Sequence, residues 1–62
     1  MKLTLSEWRR LKNVSQEDLA KLVGVHVNTI CGWEREPGKM QIKDVINVAK
    51  ALDVDLGAVS IF

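Results

Sequence analysis

The side chains able to do covalent or metal chemistry are few. There is one histidine, His26, and one cysteine, Cys31. They stand five positions apart, so they do not share a helix face as an i, i+4 metal pair does, and the carboxylates are scattered. No nucleophile–base–acid set and no metal-ligand set emerges, so neither an enzyme nor a cofactor is expected. What remains is hydrogen-bonding chemistry. The stretch "HVNTICGWER" (residues 26–35) places His26, Asn28 and Thr29 beside small or apolar neighbours. Gln16 lies upstream, and Arg35 and Lys39 lie just beyond. Amides, a hydroxyl and two cations recognise a surface; they do not transform it.

Those side chains need rigid supports, and the sequence spells out helices. Thr4 with Glu7 three residues on forms a capping box, with Leu3 and Trp8 in staple positions. The first helix is expected to run to about Lys12, with Leu5, Trp8 and Leu11 inward and Arg9, Arg10 and Lys12 complementing the dipole of its last turn. Asn13 suits a left-handed end. Ser15 and Asp18 repeat the start signal, Val14 and Leu19 repeat the staple, and Leu19, Ala20, Leu22 and Val23 give a second apolar stripe. Gly24 ends that helix, because only glycine takes positive φ without a Cβ clash. A third helix follows from about His26 or Val27 to Arg35, with Ile30 and Trp33 inward and Val25 filling the turn. Pro37 and Gly38 break the chain. Ile42, Val45, Ile46, Ala49 and Leu52 mark a fourth, amphipathic helix flanked by Val48. Asp55 is read as the cap of a short fifth helix, with Val54 and Val59 as staple. No strand signal is present.

The 62 residues are read as one domain, 1–62, with 47% hydrophobic residues and a net charge of only +1. A chain this short buries only about 60% of its unfolded surface, so well-formed helices or a partner subunit must supply the stability. No apolar run reaches the roughly 20 residues of a membrane span, the N-terminus lacks the apolar segment of a signal peptide, and a single thiol fits a reducing cytoplasm.

Two short helices joined by a glycine turn make a helix-turn-helix. The chain resembles the lambda-repressor-like (Cro/repressor, XRE-type) DNA-binding domains. The resemblance rests on Arg9, "SQEDLAKLVGV" from Ser15 to Val25, Ile30, Trp33–Glu34 and the end of the fourth helix at Leu52 and Val54. It covers nearly the whole chain and implies an all-α, five-helix fold.

The physical reading agrees with the resemblance. A recognition helix exposes its N-terminal half to the major groove. Val27, Asn28, Thr29 and Gly32 fall on that face. The Asn28 amide matches the adenine N6/N7 edge, Val27 a thymine methyl, and Gly32 permits close approach. Gln16, which matches the family's glutamine at the start of the second helix, is expected on phosphate, as are Arg35 and Lys39. The resemblance also implies an internal ion pair between Arg9 and Glu34. His26 stands where the family usually has a hydroxyl cap, and both a phosphate or base contact and a plain exposed end stay open for it. Cys31 reads as a small half-buried residue, Trp8 and Trp33 as core, and Arg10 and Lys12 as a solvated face.

The apolar end, Leu56, Val59, Ile61 and Phe62, either covers the monomer core or forms a homodimer surface, and the dimer is the expectation. The resemblance then implies a small prokaryotic or phage transcriptional repressor that blocks a promoter as a dimer on a pseudo-palindromic site in double-stranded DNA. No small-molecule effector is legible. The alternative is an antitoxin-type protein-interaction module with secondary DNA binding.

Overall fold

A computed structural model of the chain describes residues 2–61. Four α-helices occupy Leu5–Leu11 (α1), Gln16–Val23 (α2), Val27–Arg35 (α3) and Ile42–Leu52 (α4). Single 3-10 turns lie at Pro37–Lys39 and Leu56–Ala58. The all-α class therefore holds, and the fifth element is one 3-10 turn. Asp55 precedes that turn without a side-chain capping bond.

The start signals act as written. The Thr4 hydroxyl accepts from the Glu7 N–H and the Glu7 carboxylate accepts from the Thr4 N–H, which closes the capping box of α1. Ser15 accepts from the Asp18 N–H at 3.0 Å. Asn13 (φ 59°) and Gly24 (φ 86°) take the left-handed conformation at the ends of α1 and α2. Gly38 does not share it; its turn is a 3-10 turn set by Pro37.

Leu5, Leu19, Ile30 and Val48 are fully enclosed at the centre of one core, which Trp33, Met40, Val45, Ala49 and Leu52 extend. Three expected inward residues face water instead: Leu11, Leu22 and Ile42 are 61%, 61% and 70% exposed. Each lies near a helix end, where no neighbouring element covers the stripe. Val48 is core and not flanking, because α4 packs under α2 as well as α1.

The termini hold a feature absent from the sequence reading. Leu3–Thr4 (β1) and Val59–Ser60 (β2) pair in parallel, Leu3 opposite Val59 and Thr4 opposite Ser60. The Trp8 indole N–H donates to the Ala58 carbonyl at 2.7 Å across the same seam. Val59 is thereby buried in the monomer core, so its side chain is not available to a second copy, contrary to expectation. Phe62 lies outside the described residues.

Candidate nucleic-acid interface

α2 and α3 share the largest contact of any two helices, hinged at Gly24, whose N–H closes on the Ala20 carbonyl at 2.8 Å. Leu19 and Ala20 on one side and Ile30 and Trp33 on the other bury the inward faces. The outward face of α3 is then fixed by the helical period.

Asn28 is exposed on the first turn of α3. Thr29 and Gly32 are half-buried, and a Cβ built on Gly32 meets open space. Val27 is half-buried and packs against the core, which leaves it less surface for an outside contact than the sequence reading assumed. Arg35 and Lys39 are exposed. The Lys39 ammonium stands 3.4 Å from Glu36 in a solvated pair, which contributes little to stability.

His26 caps α3 after all. Its Nδ1 accepts from the Asn28 N–H at 3.0 Å. An accepting Nδ1 puts the proton of the neutral ring on Nε2, so the exposed imidazole offers a donor beside the N–H groups that open α3.

Behind this face lies a network that ties the three N-terminal helices together. Arg9 of α1 meets Glu34 of α3 at 2.6 Å (Nε to Oε2) and 3.4 Å (Nη2 to Oε1), and its Nη1 donates to the Val14 carbonyl at 2.9 Å. This is the expected internal pair. Gln16 joins it: its Nε2 donates to Glu34 Oε1 at 2.9 Å, and its Oε1 accepts from the Cys31 thiol at 3.4 Å. The Gln16 side chain, expected on the DNA backbone, is thus engaged inside the protein, at the first residue of α2.

Sequence reasoning missed Cys31 and Glu34 as partners of Gln16. Their separations of 15 and 18 residues carry no local signal, and only the crossing of α2 and α3 brings them together.

The face offers hydrogen-bond donors and one free amide on a rigid helix. No group of His, Cys, Asp and Glu suited to a metal occurs among the described residues, and no helix among them is long and apolar enough to cross a membrane. A helix-turn-helix family profile matches residues 5–59. No curated protein and no solved structure matches the chain.

Proposed function

The chain belongs to the XRE-type, lambda-repressor-like helix-turn-helix family of DNA-binding transcription regulators, and from that premise we propose that it acts as a repressor, binding a pseudo-palindromic duplex site as a homodimer. α3 enters the major groove. Asn28 reads adenine through its amide, Thr29 contacts a base edge or a phosphate, Gly32 lets the helix sit close, and the exposed part of Val27 meets a thymine methyl. Gln16, His26, Arg35 and Lys39 hold the flanking phosphates and set the register. Repression follows from occupancy: two copies of α3 in successive major grooves, about 34–36 Å apart, exclude polymerase from the promoter.

The observation that carries this reading is the exposed Asn28 amide on the first turn of a helix anchored by Ile30, Trp33 and Glu34. The dimer reading draws support from an apolar groove whose accessible rim is Leu56 and Ile42, 46% and 70% exposed, with the half-buried Ile61 beside them.

Selection of bound duplexes from a random pool tests the proposal. Two inverted half-sites are expected, and Asn28→Ala should weaken binding to the selected duplex by roughly 1–3 kcal/mol while relaxing preference at one base pair per half-site. Equal weakening on every sequence makes Asn28 a backbone contact. The near-neutral charge of +1 favours one second reading, a protein-interaction module of antitoxin type. Titration at two salt concentrations separates the two. A DNA binder loses affinity steeply with salt, and a flat response selects the interaction module.

A further inference from the structure

The amide of Gln16 is gripped at both ends, and its partners dictate which end is which. The Glu34 carboxylate is held by Arg9 and can only accept hydrogen bonds. The end of the amide facing it is therefore the NH2 group. The carbonyl oxygen must then lie on the opposite side, and there it meets the one thiol of the chain, a donor. The reversed amide would set its oxygen against the carboxylate and its NH2 against the thiol, losing both bonds. Nε2 carries two hydrogens and spends one on Glu34; the second has no partner among the described residues. Gln16 is also the first residue of α2, where the helix N-terminal N–H groups favour an anion. A carbonyl oxygen aimed at that anion would repel it.

We propose that Cys31 and Glu34 are positioning residues for the DNA backbone contact, locking the Gln16 amide so that it presents an N–H, and no carbonyl oxygen, to a phosphate. The inference rests on the DNA-binding reading above. It assigns Cys31 a role as a hydrogen-bond donor to a neighbouring side chain, with no part in redox chemistry or base reading. Serine, which keeps the donor, therefore substitutes for it, and alanine does not.

The test uses the duplex recovered by selection, together with versions of it in which single phosphates are replaced by neutral methylphosphonates. With the wild-type chain, one replacement per half-site should weaken binding, and Gln16→Ala should abolish that sensitivity. Cys31→Ala should weaken binding to every sequence by about two- to tenfold, the worth of one hydrogen bond, and should lose most of the same sensitivity. Its effect should not multiply with that of Gln16→Ala, and Cys31→Ser should restore both properties. The free proteins supply an independent readout: the two side-chain amide protons of Gln16 should be well separated by NMR in wild type and in Cys31→Ser, and averaged closer together in Cys31→Ala. Thermal melts verify that each variant is folded. A Cys31→Ala chain with wild-type phosphate sensitivity overturns the inference and leaves DNA binding intact, as does full multiplication of the two effects. A wild-type chain that binds no duplex removes the underlying reading and this inference with it.

Discussion

Arg9 is the residue whose loss tests the architecture most severely. The side chains of Arg9 and Glu34 are only 13% and 11% exposed, and their charged groups stand 2.6 Å apart at their closest; Arg9 also donates to the Val14 carbonyl. An exposed pair of this kind contributes at most about 1 kcal/mol, whereas breaking a buried pair by removing one partner costs about 3–5 kcal/mol, because the other charge is stranded. The residual exposure lowers the expected cost of Arg9→Met to about 2–4 kcal/mol. At roughly 0.05–0.15 kcal/mol per residue, a domain of this size holds about 3–9 kcal/mol in total. The variant therefore loses about a fifth or more of its stability, and its melting temperature should fall by about 8–32 °C. Urea unfolding followed by far-UV circular dichroism measures this directly. The double variant Arg9→Met/Glu34→Leu strands no charge, so it should cost less than the sum of the single variants by about 1–3 kcal/mol. An Arg9→Met cost under about 0.5 kcal/mol, or strict additivity, would refute the argument that the pair is a structural tie. For Arg9→Met alone, which keeps the Glu34 carboxylate that Gln16 donates to, DNA affinity measured well below the transition should change little once the folded fraction is accounted for; a large loss there would make Arg9 a DNA ligand.

Three further outcomes follow from the helix ends. The backbone N–H of Thr4, with a further contribution from its side chain, holds the Glu7 carboxyl below its ordinary value, so the stabilisation it gives is complete above the unfolded value and fades as pH falls through the folded one. Wild type should therefore be more stable than Glu7→Gln near neutral pH, with the difference vanishing in acid; a pH-independent difference would contradict this. His26→Ala should cost about 0.5–2 kcal/mol of stability through the lost cap, while His26→Ser stays near wild type, as thermal melts will show. Gly24→Ala should cost about 1–2 kcal/mol from the left-handed backbone alone, since its Cβ would meet open space and the φ of 86° is the sole obstacle.

The parts of this fold written locally were the parts legible in the sequence. Thr4 with Glu7, Ser15 with Asp18 and the glycine at 24 are signals spanning four residues or fewer, and each marks the boundary observed. Burial was legible only where the stripe lies under another element. Leu11, Leu22 and Ile42 fit the periodicity as well as Leu5 or Leu19 do, but periodicity states which face is apolar and not how far a neighbour extends over it. The parallel pair at residues 3–4 and 59–60 is too short to show alternation. For the candidate site, helical spacing sorted Ile30 and Trp33 from Asn28. The inward turn of Gln16 depends on the angle between α2 and α3, which no spacing encodes. The Arg9–Glu34 tie was reached through family resemblance and not through the chemistry of the two residues.

The seam between the two ends of the chain constrains the order of assembly. α2, the turn and α3 are neighbours in sequence, so their contacts close small loops at low entropic cost. The Trp8 indole waits for a carbonyl fifty residues away, and Leu3 for Val59. Until residues 58–60 are made, Leu3 and Thr4 lack their strand partners and the Trp8 indole lacks its acceptor. The contacts between the two helices that would meet DNA are local in sequence, and the clasp between the start of α1 and the last turn is not. A chain truncated before residue 58 would lack the acceptor of the Trp8 indole, and Trp8, unlike the core Trp33, would report by its fluorescence whether the latch is engaged.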